Sequence, residues 1–126
     1  MNRSFNLKFL SLNCNGLIKT TLKSTAESTF IKHLKQQKPH LLALQESYTA
    51  TEHIQLSLNF QFQTKSSIWT KHCGLVSMSP DIILSVVSII ADQRVILAQV
   101  THNSHYFDPF YVMVLYALAN GKSPRY

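Results

Sequence analysis

Apolar residues in this chain come in short runs, each closed by a polar or turn-forming cluster. Phe9, Leu10, Ser11 and Leu12 make the first run, which stops at Asn13, Cys14, Asn15 and Gly16 as a buried strand followed by a turn would. Ser24 with Glu27 matches a capping box, and Ala26, Phe30, Ile31 and Leu34 then recur at helical spacing opposite Lys32 and Lys35. This predicts an amphipathic helix from about Thr25 to Gln37, ended by Pro39, whose ring cannot continue it. Leu41, Leu42, Ala43 and Leu44 form a second buried run that delivers Gln45 and Glu46 at its end. From Ser47 to Lys65 the period is lost among Gln55, Asn59, Gln61 and Gln63, and the segment reads as loop with at most one helical turn or short strand. β character returns over Ile68 to Met78 around Gly74. Ile82 to Ile90 and Val95 to Thr101 read as a hairpin joined by Ala91, Asp92, Gln93 and Arg94. His102 to Pro109 is polar loop, Phe110 to Tyr116 a last strand, and Ala117 to Tyr126 adds no element.

A strand, helix, strand unit normally pairs its strands in parallel with a right-handed crossover, so the strand ends at Asn13 with Asn15 and at Glu46 should lie side by side. The strands suffice for one sheet with a helix on one face, which leaves an apolar sheet face uncovered and open to self-association. A tail of Asn120, Gly121, Lys122, Ser123 and Pro124 directly after a strand is where a connection normally leads onward. The expectation is a truncated domain over residues 1–126, with 1–6 and 119–126 as flexible tails.

Composition narrows the class. A chain of 126 residues fits one domain, and about two-thirds of its unfolded surface can leave water. An apolar content of 45% with 3 Gly and 4 Pro excludes collagen-like and low-complexity chains. Twelve Lys and Arg against six Asp and Glu give a net charge of +6, which favours polyanions such as nucleic acid without demanding them. Two cysteines, Cys14 and Cys73, sit in strand-like segments and suit buried thiols in a reducing compartment, with a bridge between them as the alternative. The N-terminus has Arg3 and Lys8 but no apolar signal core, and Ser85, Ser88, Asp92 and Arg94 interrupt the best apolar stretch. A soluble intracellular protein, nuclear or cytoplasmic and without membrane contact, is expected.

An amide and a carboxylate placed together at Asn13 and Glu46 suit a hard divalent cation such as Mg, which keeps several waters and needs only one or two carboxylates plus substrate phosphates. A lone Glu after a strand is also a common surface residue or helix cap. The runs Leu10-Ser11-Leu12-Asn13-Cys14-Asn15-Gly16-Leu17 and Leu41-Leu42-Ala43-Leu44-Gln45-Glu46-Ser47, however, resemble the first two motifs of the endonuclease/exonuclease/phosphatase superfamily, the DNase I-like proteins. Ser67-Ile68-Trp69 through Gly74-Leu75-Val76 resembles the approach to that family's next strand, and Val114-Leu115-Tyr116-Ala117 resembles its tyrosine-bearing strand. The flavour is that of the endonuclease domain of fungal non-LTR retrotransposons. The resemblance covers residues 7–126 and rests on four motifs in order.

That resemblance implies part of a four-layer α/β/β/α sandwich and Mg- or Mn-dependent hydrolysis of phosphodiesters, with DNA as partner. It implies Glu46 as metal ligand, Asn13 and Asn15 as holders of metal-bound water or the catalytic constellation, and Tyr116 as hydrogen-bond donor to the phosphate. The departures point the other way. Pro39 is followed by His40 where the family has Asp, and the usual Tyr-Ala-Pro-x-Asn reads Tyr116-Ala117-Leu118-Ala119-Asn120. The family's Gly-Asp-x-Asn and Ser-Asp-His motifs, which supply the general base, a histidine and further ligands, have no counterpart in this chain. Metal binding in the fragment is expected to be weak and cleavage absent. No organic cofactor is implied.

Other patterns have plainer explanations. His102, Asn103, Ser104 and His105 with Asp108 match no zinc spacing. Gly121-Lys122-Ser123 lacks the first glycine of a phosphate loop, whose place Tyr116 takes. His72 and Cys73 are adjacent on a strand and so read as edge imidazole and core thiol. Trp69, Phe110 and Tyr111 read as core aromatics, and Lys32, Lys35 and Lys38 as a solvated helix face.

Overall fold

A computed structural model describes residues 5–14 and 26–117. In chain order the elements are β1 (Phe9–Asn13), α1 (Ala26–Gln36), β2 (Leu41–Gln45), α2 (Glu52–Phe62), β3 (Ser66–Trp69), β4 (Cys73–Ser77), β5 (Ile82–Ile90), β6 (Val95–His102) and β7 (Phe110–Leu115). The strands form two sheets, ordered β1-β2-β4-β3 and β5-β6-β7; the strand pattern alone suggests one sheet with a helix on one face, whereas the α/β/β/α resemblance implies two. β1 and β2 pair in parallel from Phe9↔Leu41 to Asn13↔Gln45, as the crossover unit requires. β2 then pairs antiparallel with β4, and β4 with β3.

Alternation along β2 explains the layering. Leu41 and Ala43 point to the second sheet, where with Cys73 and Leu75 they pack against Ile82, Leu84, Ile96, Ala98, Val100 and Val114. Leu42 and Leu44 point the other way, and with Val76 they cover Ile31 and Leu34 of α1 and Leu58 and Phe62 of α2. A strand buried on both faces reads as an unbroken apolar run, which is why Leu41–Leu44 stands out in the sequence. Burying each such leucine contributes about 1.5–3 kcal/mol. The result is a mixed α/β fold of helices, sheet and sheet, three layers among the described residues.

The expected fourth layer is not among the described residues. The outer face of the second sheet carries Ile83, Ile90, Tyr111, Met113 and Leu115, all exposed.

The loop expected over Ser47 to Lys65 contains a helix. Its start is fixed by Thr51, whose Oγ1 accepts the Ile54 N–H at 3.3 Å. Its end is fixed by Gln63 in the left-handed conformation (φ 59°), donating its N–H to the carbonyls of Asn59 and Phe60. Ile54, Leu58 and Phe62 form the inward stripe, but Leu56 and Phe60, 58% and 83% exposed, sit on the other side and hide its period. The β character over Ile68–Met78 resolves into β3 and β4, joined by a turn with no Gly or Pro. Thr70 holds it instead, its Oγ1 accepting the N–H groups of His72 at 3.2 Å and Cys73 at 3.0 Å.

The β5–β6 hairpin is as expected, its turn a left-handed run at Ala91, Asp92 and Gln93. Residues 1–4 and 118–126, which include the expected C-terminal tail, lie outside the described residues. Phe5 packs among His40, His102, Tyr106 and Phe107 at ring separations of 5.1–5.8 Å. Cys14 and Cys73 are both free thiols. No described helix is long and apolar enough to cross a membrane.

Candidate active site

The parallel ladder between β1 and β2 runs one bond past its last pair, with the Cys14 N–H on the Gln45 carbonyl at 2.7 Å. Asn13 and Glu46 therefore stand at neighbouring strand ends. Beyond Gln45 the chain alternates. Ser47 and Thr49 are fully buried, whereas Glu46 and Tyr48 face outward in left-handed conformations, φ 59° and 56°. That conformation costs a residue with a Cβ about 1–3 kcal/mol and persists only where the surroundings impose it.

Here the surroundings are the β3–β4 turn. Ser47 N–H donates to the His72 carbonyl at 3.1 Å and Thr49 N–H to the Lys71 carbonyl at 3.0 Å. Thr49 Oγ1 donates to the Thr70 carbonyl at 2.7 Å, and the Ser47 and Thr49 hydroxyls bond each other at 2.9 Å.

Tyr116 arrives from the other sheet. Its backbone N–H donates to the Arg94 carbonyl at 2.9 Å, which fixes the residue just past β7. Its phenol lies close enough to Glu46 and Tyr48 to feel both. Partial burial first, then the Glu46 charge and Tyr48, push the Tyr116 hydroxyl above its ordinary pKa and keep it a proton donor. The His72 ring packs on Tyr116 at 5.6 Å, tilted 37°. His72 Nδ1 is buried with no hydrogen-bond partner among the described residues. Cys14 lies close enough to feel the Glu46 charge; burial, then that charge, push its thiol up to about 12.

Of the residues expected to form a site, Glu46 and Tyr116 come together from two sheets and Asn13 ends the adjacent strand. Asn15 and Asn120 lie outside the described residues. Tyr48, which escaped the sequence reading, and His72, read there as an edge imidazole, belong to the cluster. Tyr48 follows Glu46 by two, the spacing that puts two residues on one face of an extended chain, and that signal was there to be used.

Glu46 is the one carboxylate these groups supply. No cluster of three or more His, Cys, Asp or Glu able to hold a metal occurs among the described residues. A carboxylate beside an amide oxygen fits a fraction of a hard-cation shell, most of it left to water and phosphate.

The other candidates are structural. His102 is buried, stacks on Tyr106 at 4.6 Å and accepts the Ser104 N–H at its Nδ1. Trp69 Nε1 donates to Asn59 Oδ1 at 2.8 Å, and Phe110 packs on the core between the sheets. Tyr111, expected in the core, is 64% exposed because it lies on the outer face of the second sheet.

No family model and no curated protein matches the chain. Among solved structures it is similar to humanized D. rerio TDP2 carrying 14 mutations, with a TM-score of 0.57 at 16% identity. The match covers 85% of this chain and 45% of the TDP2 chain, so this chain spans about half the length of that neighbour. The likeness is one of fold. Two sheets and two helices are arranged as in part of that neighbour's DNase I-like fold.

Proposed function

We propose that this chain is part of a divalent-metal-dependent phosphodiesterase or endonuclease domain of retroelement type, acting on DNA, and that alone it does not cleave. The observation that carries the reading is the approach of Tyr116 to Glu46, brought from the ends of two sheets to one place, with Asn13 ending the strand beside Glu46. The four motifs in order and the likeness of fold support it.

In this reading Glu46, with the Asn13 amide, supplies oxygen ligands to Mg or Mn. When bound, such an ion polarises a phosphoryl oxygen and stabilises a leaving alkoxide. Tyr116 donates its phenolic proton in a hydrogen bond to a phosphate oxygen, its ring packed on His72. Asn15, next but one to Asn13, belongs with it as a holder of the constellation.

Two things are missing for turnover. The sequence has no Gly-Asp-x-Asn or Ser-Asp-His run to supply a base, a contribution of about 100- to 10,000-fold. One carboxylate also holds Mg weakly. Supercoiled plasmid incubated with the folded chain in Mg or Mn should stay intact, for the wild type and Glu46→Ala alike. Nicking that disappears in Glu46→Ala would show a complete site and overturn the inactivity.

One observation favours a second reading, a non-catalytic remnant that binds a partner protein, nucleic acid or a second copy. It is the exposed row of Ile83, Ile90, Tyr111, Met113 and Leu115 on the outer sheet face. Sedimentation that shows a dimer for the wild type and a monomer for Met113→Lys would support it.

A further inference from the structure

Lys32 and Lys35 of α1 line a groove against α2. α1 and α2 lie on the first sheet with their last turns at the end opposite Glu46, where β2 and β3 begin. Between them runs a groove of about 530 Å³ lined by Lys32, Lys35, Phe60, Gln61 and Gln63. Past Lys35 and Gln63 it continues into a second cavity of about 400 Å³ bordered by Lys38, Lys65 and Met78. Among the described residues no carboxylate lines either cavity.

A structural role accounts for one of these lysines. Lys35 Nζ donates to the Gln61 carbonyl at 3.2 Å, satisfying an orphan acceptor in the last turn of α2. It does not account for the exposed Lys38 and Lys65, nor for the Phe60 ring, 83% exposed at the lip of the groove. A track of ammonium groups beside an open aromatic face is the arrangement that holds single-stranded nucleic acid, phosphates on the cations and a base on the ring. An acidic peptide would use the charges and leave Phe60 idle.

We propose that this groove binds single-stranded nucleic acid through Lys32, Lys35, Lys38 and Lys65, with Phe60 stacked on a base. The site lies at the other end of the fold from Glu46 and does not depend on the reading of that end.

The test is fluorescence anisotropy of a labelled oligothymidylate titrated with the full chain at several salt concentrations. Four phosphates neutralised give a slope of log affinity against log salt of about −2.8. Lys38→Gln with Lys65→Gln should flatten it by about 1.4. Phe60→Ala should weaken binding by about five- to 150-fold, the range for one lost stack, and leave the slope alone. Lys71→Gln, at the Glu46 end, should change neither. All these side chains are exposed, so circular dichroism should report an unchanged fold. The proposal falls if the oligonucleotide does not bind, if the groove variants bind like the wild type, or if Lys71→Gln is the variant that weakens binding. It also falls if a labelled polyglutamate binds with the same lysine dependence and Phe60→Ala has no effect on the oligonucleotide.

Discussion

Gly74, the second residue of β4, pairs with Trp69, and the indole lies across the space where a side chain would be. A Cβ built on Gly74 falls inside the van der Waals radii of Trp69 Cζ3 and Cε3 and 3.2 Å from Cη2. Gly74→Ala must therefore push the ring aside, and overpacking of this kind costs about 1–3 kcal/mol. The displaced ring also loses its 2.8 Å hydrogen bond to Asn59 Oδ1, worth about 1 kcal/mol. The expected cost is about 2–4 kcal/mol against a total stability of about 5–15 kcal/mol. Trp69 is the sole tryptophan, so its emission reports unfolding in urea directly. With a typical urea slope of about 2 kcal/mol per molar, the midpoint should fall by about 1–2 M. In a Trp69→Leu background, followed by circular dichroism, Gly74→Ala should cost under about 1 kcal/mol, because the neighbour that forbids it is gone. A cost below about 0.5 kcal/mol in the wild type, or the same cost in both backgrounds, would refute the argument.

The thiols should be sluggish: burial first, then Glu46, pushes Cys14 up to about 12, and burial pushes Cys73 up to about 11 against hydrogen bonds from Thr70 and Tyr116 that lower it. Both should react slowly with a disulfide reagent at pH 8 and rapidly in urea. Because the folded pKa of Cys14 exceeds its ordinary 9.0, its contribution to stability is complete below pH 9 and lost as pH rises from 9 towards 12, which denaturant midpoints across that range would show. Glu46→Gln removes the second cause of the raised Tyr116 pKa, so the phenol should ionise at lower pH, seen at 295 nm as a difference from the same variant with Tyr116→Phe. Thr51→Ala should cost about 1 kcal/mol, measured by urea unfolding, through loss of the cap on Ile54 N–H.

Much of the fold was legible where local pattern and tertiary role agree. Leu41–Leu44 reads as a buried strand because both its faces are covered, and the β5–β6 hairpin declares itself through β-branched residues on either side of a polar turn. α2 was illegible because Leu56 and Phe60 place apolar surface on its solvent side, and the groove above offers a reason for Phe60 to be there. The β3–β4 turn was illegible because a threonine hydroxyl does the work usually given to Gly or Pro. The division into two sheets depends on which strands pair across long separations, and alternation alone does not encode that.

The neighbouring positions of Asn13 and Glu46 were legible from the crossover unit, but Tyr116 was legible only by resemblance. Nothing in the spacing of Glu46 and Tyr116, which come from different sheets, announces that they come near each other. His72 enters through the β3–β4 turn bonded to the loop after Glu46, a pairing that only the backbone reveals.

The central claim is that Glu46, Asn13 and Tyr116 make one end of a cation and phosphate site. Titrating Mn into the isotopically labelled chain and following the amide resonances tests it most directly, because paramagnetic broadening marks the residues nearest the ion. Selective broadening at Asn13, Glu46 and Tyr116 that vanishes in Glu46→Gln is the predicted result. Broadening that centres elsewhere, or that survives the substitution unchanged, would contradict it.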